Sequence, residues 1–385
     1  MDALTTPSNW QRVRLGDICE IVKGQQINKI SLNNTDKYPV INGGIDFLGY
    51  TNKFNVSKNT IAISEGGTCG YVRFMKSDFW SGGHNYSLQK ISNKVNNLCL
   101  YHILKSYEKD IMKLGVGSGL KNIQLKALKD FEIPLPPLNE QIAIANILSA
   151  LDRYLYALRA LILKKESVKK ALSFELLSQR KRLKGFNQNW QRVRLGDIAT
   201  FLKGKGLSKN QVSPNAKHEC ILYGELFTHY DRVVTNIKNF TNIYDNPMLS
   251  LNNDVLMPSS DVTPNGLATA SCILKKGVIL GGDILIIRPN SNLLNGCFLA
   301  YCIVYDKNQV LSKVVGSTVY HLYAKDMKVF EIPLPPLNEQ IAIANILSAL
   351  DHEIISLKNK KRQFENIKKA LNHDLMSAKI RVLKK

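Results

Sequence analysis

No uninterrupted apolar run in the 385 residues approaches the ~18 residues that a membrane span needs. The opening segment MDALTTPSNW also lacks the basic and then apolar stretches of a secretion signal. A cytoplasmic chain without membrane contact is expected. Cysteine is sparse and odd in number, at positions 19, 69, 99, 220, 272, 297 and 302, and the one close pair, Cys297 and Cys302, has neither a second pair nor a nearby histidine. Those spacings argue against a disulfide framework and structural zinc, and for small buried thiols in a reducing compartment.

Catalytic signatures are missing too. The phosphate-loop pattern GxxxxGK[ST] and the dinucleotide pattern GxGxxG are absent, and FLKGKG at 201–206 resembles the former only loosely. The chain has no nucleophile elbow and no HExxH. Asp245-Asn246-Pro247-Met248 resembles the tetrapeptide of amino-directed DNA methyltransferases, but it lacks the second proline and the aromatic that stacks on a flipped base. A non-catalytic chain that holds neither metal nor cofactor is expected.

Acidic residues are few beside basic ones, 31 against 52, a formal net charge of +21. A polyanion is the first partner to consider. Hydrophobic residues make up 44% of the chain, enough for packed cores and against disorder.

The dominant feature is a repeat. NWQRVRLGDI occurs at 9–18 and again at 189–198, and FEIPLPPLNEQIAIANILSALD occurs at 131–152 and again at 330–351. The identical segments bracket two blocks that differ, residues 19–130 and 199–329. These blocks keep only traces of each other, such as Lys23-Gly24 against Lys203-Gly204 and Gly117-Ser118 against Gly316-Ser317. An invariant frame around divergent fillings suggests that the frame meets one repeated partner while each block meets something of its own. Recent recombination between shared segments would leave the same trace.

Each prolyl nitrogen in IPLPP lacks a hydrogen and biases its predecessor toward extended backbone, so that segment ends a strand or forms a linker. A helix follows, with Glu140-Gln141 and Glu339-Gln340 in its first turn. Apolar residues then recur at heptad spacing: Ile144, Ile147, Leu151, Leu155, Leu158, Ile162, Val168, Leu172 and Leu176 in the first copy. The second copy has Ile343, Ile346, Leu350, Ile354, Leu357, Phe364, Ile367, Leu371 and Leu375. Two such stripes bury each other most economically as an antiparallel pair; the alternative packs each helix back on its own domain. The helices and tails, 152–188 and 351–385, carry net charges of +7 and +6. Their basic face is either a solvated helix face or a source of salt-dependent affinity for nucleic acid.

Both blocks read as mixed α/β. YPVING, TIAIS and GYVRF in the first, and DVLMP, ASCILKK and DILIIRP in the second, are strand-like, with helical pieces near 98–113 and 297–307. Their loops are rich in side chains that can reach base edges or phosphates. The candidates in the first block are Lys23, Gln25, Gln26, Asn28, Asn42, Ser64, Glu65, Thr68, Arg73, Asn85, Tyr86, Ser118 and Lys121. Those in the second are Lys203, Lys205, Tyr223, Glu225, Ser259, Ser260, Asp261, Thr263, Asn265, Tyr320 and His321.

The order W-x-x-V-x-L-G-D-I, variable block, F-x-I-P-L-P-P-L-N-E-Q-x-x-I-A, long helix, run through twice, resembles type I restriction-modification specificity subunits along essentially the whole chain. The resemblance implies a fold of two mixed α/β target recognition domains separated by a pair of long antiparallel coiled-coil helices, related by an internal pseudo-two-fold repeat. It divides the chain into a recognition domain at 1–135, a spacer helix at 136–186, a second domain at 187–334 and a second spacer helix at 335–385.

By the same resemblance, each domain reads half of a split double-stranded DNA target. Two methyltransferase subunits carrying S-adenosylmethionine would dock, as would restriction subunits using ATP and Mg. Pro134, Pro136, Pro137, Glu140, Gln141 and their copies Pro333, Pro335, Pro336, Glu339, Gln340 would form the docking frame. The rival readings are a stand-alone DNA methyltransferase or nuclease with degenerate motifs, and a coiled-coil adaptor for proteins.

Overall fold

The computed structural model describes residues 9–382, which divide into two units. Residues 9–159 and 359–382 form the first and residues 160–358 the second. Both helices are thus shared: each begins in one unit and ends in the other.

In the first unit, strand β1 (Gln11–Arg14) pairs with β11 (Glu132–Leu135), register Gln11↔Leu135. Between them lie β2 (Glu20–Lys23), β3 (Tyr38–Ile41), β4 (Gly49–Thr51), β5 (Thr60–Ser64), β6 (Val72–Met75), β7 (Trp80–Ser81), β8 (Asn85–Gln89), β9 (Gly115–Val116) and β10 (Asn122–Ile123). They form a four-stranded sheet in the order β2-β8-β5-β6, a three-stranded sheet β4-β3-β7, and the hairpin β9–β10. Helix Asn97–Ser106, capped by the Asn96 side chain on the Cys99 N–H, packs on the larger sheet.

The second unit repeats this plan. Its frame ribbon is β12 (Gln191–Arg194) with β23 (Glu331–Leu334), register Gln191↔Leu334. The block holds β13 (Ala199–Lys203), β14 (His218–Ile221), β15 (Val233–Val234), β16 (Asn239–Thr241), β17 (Asp254–Pro258), β18 (Ser260–Asp261), β19 (Ser271–Ile273), β20 (Ile279–Leu280), β21 (Ile284–Pro289) and β22 (Tyr320–His321). Its larger sheet, β13-β21-β17-β19-β15, carries one strand more than its counterpart. Helix Gly296–Tyr305, capped by Asn295, is the equivalent of Asn97–Ser106. The strand-like segments singled out above all fall on strands. Each expected helical piece is broken once, into Asn97–Ser106 and Glu108–Lys113, and into Gly296–Tyr305 and Lys307–Leu311.

After the prolines come helices Leu138–Leu177 and Leu337–Met376, each of 40 residues, or about 60 Å at 1.5 Å per residue. The first turns of both pack on their own domain, with Ile144, Ala145 and Leu148 in the core of the first unit and Ile343, Ala344 and Leu347 in that of the second. Each unit also holds an antiparallel helix pairing. In the first, Asp152 pairs with Lys368 and Arg159 with Glu365; in the second, Glu166 pairs with Lys358 and Lys169 with Asp351.

The seam departs from its expected course at two places. Val168 and Ile367 are 45% and 42% exposed, because steps of three and four from Leu158 reach Ile162, Lys165, Lys169 and Leu172, not Val168. Leu148 and Leu347 are likewise buried ahead of Ile147 and Ile346. The lysines at the seam are matched: Lys169 meets Asp351, and Lys368 meets Asp152. These are the same pair seen from each copy.

Candidate nucleic-acid interface

The frame residues come first, since they hold the loops in place. Glu140 is buried and receives Trp10 Nε1 at 3.2 Å, Arg381 Nε at 2.8 Å and Arg381 Nη2 at 3.1 Å. Its copy Glu339 receives Trp190 Nε1, Arg182 Nε and Arg182 Nη2, all at 2.9 Å. Gln141 accepts from the Asn96 N–H and donates to Pro136 O and Lys94 O; Gln340 does the same with Asn295, Pro335 and Leu293.

These four side chains, expected at a docking surface, are therefore internal and fix the strand-to-helix junction. Pro136 and Pro335 are buried as well, while Pro134, Pro137, Pro333 and Pro336 are half-buried. The arginine partners were not singled out in the sequence. Their signal was the spacing: Arg182 and Arg381 follow their own helices by the same interval, yet each serves the other copy's glutamate.

The loops of the first block converge at one end of its sheets. Gly24 N–H bonds Asn85 O and Gln25 N–H bonds Ser81 O; Thr68 N–H bonds Gly43 O; Glu65 N–H bonds His84 O; Ile123 N–H bonds Glu65 O. The Asn42 side chain accepts from the His84 N–H. A Cβ on Gly24 would lie 2.1 Å from Gly82 O, which is why glycine follows the lysine.

At the centre, Glu65 receives Lys23 Nζ at 2.6 Å, with the Tyr86 hydroxyl at 3.2 Å and His84 Nδ1 at 3.8 Å. Burial first, and then the Glu65 charge, push the Tyr86 hydroxyl up to about 12, so it stays a donor.

The second block builds the same backbone from other side chains. Gly204 N–H bonds Ile284 O, Lys205 N–H bonds Leu280 O, Ser259 N–H bonds Asp283 O and Leu322 N–H bonds Ser259 O. A Cβ on Gly204 would lie 1.9 Å from Gly281 O. Ser259 thus occupies the place of Glu65, and the carboxylate comes instead from Asp283, 3.9 Å from Lys203. Asp283 escaped the sequence reading; only its position opposite the shared Lys-Gly marks it.

β18 pairs with β22, placing Ser260 opposite His321 and Asp261 opposite Tyr320. Thr263 Oγ1 and the Val262 N–H both donate to Asp261. Tyr223 meets Phe227 edge-on at 6.4 Å.

Five of the candidates lie beneath the surface. Ser64, Glu65, Asn85 and Tyr86 are buried, as is Glu225, which caps the Leu222 N–H and whose carboxyl burial raises. They support loops. Arg73 is turned onto the carbonyls of Gly44 and Ile45, over the rings of Phe47 and Tyr71, and Lys205 donates to Asn246 O. Asn28 caps a short turn at Ile30, and Ser118 lies on the β9–β10 hairpin, outside the Glu65 cluster. Gln25, Gln26 and Lys121 in the first block, and Lys203, Thr263 and Asn265 in the second, remain exposed on the converged loops.

Much of the helix charge is neutralised locally: Arg159, Lys165, Lys169, Arg182, Lys358, Lys361, Lys368 and Arg381 all sit in ion pairs. Arg153, Lys164, Lys170, Arg362 and Lys369 are exposed without an ion-pair partner among the described residues. No helix among these residues is long and apolar enough to cross a membrane, and none of their His, Cys, Asp or Glu groups is arranged to hold a metal. All seven cysteines are free thiols, six of them buried.

The family model of the type I restriction modification DNA specificity domain matches residues 7–166 and 187–366. A chain assigned as a type I specificity subunit in Mycoplasma pneumoniae is 40% identical over 161 residues, 41% of this chain and 43% of the relative. One in Mycoplasma genitalium is 34% identical over 211 residues, 53% and 55% of the two chains. The chain thus spans about half the length of these two relatives. A type I restriction enzyme specificity subunit assigned in Methanocaldococcus jannaschii is 30% identical over 383 residues, 94% of this chain and 84% of the relative.

In fold, the chain is similar to the crystal structure of a type I restriction-modification S subunit from M. genitalium, with a TM-score of 0.74 at 24% identity over 97% of both chains. The chain belongs to the type I restriction-modification DNA specificity family. The family's specificity domain occurs in it twice, once in each copy of the repeat.

Proposed function

We propose that this chain is the non-catalytic DNA-reading subunit of a type I restriction-modification complex, with each unit recognising one half of a split, asymmetric double-stranded target. One observation carries the reading: the two units share an identical frame and the same loop-supporting backbone bonds, yet display different side chains at the converged loops. Gln25, Gln26 and Lys121 on one side, and Lys203, Thr263 and Asn265 on the other, are the exposed groups that would meet bases and phosphates. Arg153, Lys164, Lys170, Arg362 and Lys369 add sequence-independent attraction to phosphate.

Because Glu140, Gln141, Glu339 and Gln340 are internal, the frame would dock its partners through what it leaves outside. Leu138 and Ile142 are 41% and 43% exposed, and the copy of Ile142, Ile341, is 41% exposed. Two like patches fit two copies of one partner, the methyltransferase subunit. That subunit would carry S-adenosylmethionine, and restriction subunits would bring ATP and Mg, in the cytoplasm where the DNA lies.

Duplex-binding measurements across a salt series test the DNA reading. Affinity should fall steeply and linearly on a log–log plot with a slope of several units. A flat response would favour a protein adaptor and overturn the reading.

A further inference from the structure

The two units differ at one place that DNA reading does not require. In the second, residues 222–238 join β14 to β16 and include β15, which adds a parallel strand to the outer edge of β19: the Cys272 N–H donates to Arg232 O at 2.8 Å and the Leu274 N–H to Val234 O at 2.9 Å. This segment lies against the second long helix at Ser348, Asp351, His352 and Ile355, leaving about 120 Å³ between them. In the first unit, only residues 42–48 join β3 to β4, and no strand among the described residues covers β6, the counterpart of β19. The equivalent space, against Ser149, Asp152, Arg153 and Tyr156, is an open cleft of about 610 Å³.

The edge of β6 is half closed. The Val72 N–H is taken by Glu108 Oε2 at 2.8 Å and its carbonyl by Lys105 Nζ at 3.1 Å. The Ser64 N–H to Tyr71 O bond fixes the phase of the ladder, so Phe74, opposite Ile61, points its N–H and C=O outward. Neither finds a partner among the described residues. The cleft walls carry Phe74, Tyr101 and Leu155, and its charged lining is four cations against two carboxylates. Both carboxylates, Asp152 and Glu365, are paired, whereas Lys76 and Arg153 have no ion-pair partner among the described residues.

We propose that the first unit takes up an extended acidic segment of a protein partner as an added strand on β6 at Phe74, in the cleft that β15 fills in the second unit. Strand addition supplies the one donor and one acceptor that Phe74 lacks, and an acidic side chain meets Lys76 and Arg153. This does not rest on the DNA reading and can fail or hold separately from it.

The test uses the full chain and two capped heptapeptides copying residues 230–236: one with Arg232→Glu, net charge −2, and one with Asp231→Lys, net charge +2. Hydrogen exchange at the Phe74 amide is followed at about 5 mM peptide, suited to weak binding. The acidic peptide should slow exchange about tenfold, an opening equilibrium shifted by binding, and the basic one should not. Lys76→Glu with Arg153→Glu should reverse that preference. Phe74→Pro, which removes an N–H that the ladder does not use and with it the exchange probe, should fold and, by calorimetric titration, bind neither peptide, whereas the parent chain binds the acidic one. No slowing by the acidic peptide, equal slowing by both, or slowing by a DNA duplex in place of peptide would overturn the proposal.

Discussion

Arg381 grips Glu140 across 241 residues of sequence, with Nε 2.8 Å from one carboxylate oxygen and Nη2 3.1 Å from the other. The pairing of Arg182 with Glu339 repeats it. Each copy of the frame is closed by the arginine that follows the other copy's helix. Removing one partner leaves a buried carboxylate uncompensated. Arg381→Ala should therefore cost about 2–3 kcal/mol, discounted from the fully buried case because the arginine is partly exposed. Amide exchange should rise in β1 and β11 while β12 and β23 keep their protection, and equal loss in both ribbons would refute the local account.

A buried imidazole gives the first unit an acid sensitivity. His102 has its pKa lowered to about 4, chiefly by burial, with Lys368 adding to the shift and Asp152 opposing it. Its folded value lies below its unfolded one. The unfolded chain therefore takes up the proton first, and stability is full above about pH 6.5 and lost as pH falls toward 4. The second unit has Tyr301 at this place, donating to Asp351 at 2.7 Å. Denaturation midpoints between pH 7 and 4.5 should fall less steeply for His102→Phe than for the parent chain, by up to about 2–3 kcal/mol. Parallel curves would show that His102 is not neutral in the fold.

The seam lysines offer a double-mutant cycle. Asp351→Ala alone strands Lys169 and should destabilise. Replacing Lys169 with methionine as well should recover part of that loss, with a coupling of about 1–3 kcal/mol, the remainder being the Tyr301 hydroxyl that has lost its acceptor. Additive losses would mean that the pair contributes nothing specific.

How much of this was legible in the sequence follows from what repeats. Twenty-two identical residues and their prolines marked the strand, the turn into the helix and the helix itself, because proline chemistry and heptad spacing act locally. Lys169 and Lys368 were hidden, since a charged residue at a seam position looks like a break in the stripe until its aspartate is found on another helix. The internal role of Glu140 and Gln141 was hidden for the same reason: their partners, Arg381 and the Asn96 N–H, are distant in sequence. Loop candidates were sorted only by burial. Glu65 and Tyr86 look like any polar loop residues in one dimension, yet they lie beneath the loop that Lys23 and His84 cap.

Exchange of the blocks tests the division of labour. Replacing residues 19–130 with the corresponding block of another family member should change one half of the recognised site and leave the other. Because the frame holds the block through the block's backbone, from the Ser92 N–H to Ile18 O and from the Asn96 N–H to the Gln141 side chain, the foreign block should fold on the same frame, and circular dichroism should be unchanged. A change in both halves would contradict independent readers.

The most direct measurement is a map of methylated bases across a genome in which this chain is co-expressed with a matching methyltransferase subunit. Two short motifs at a fixed separation, with unlike halves, are predicted, since one chain carries two units whose loops differ. A single continuous motif, or no methylation although the complex assembles, would contradict the account.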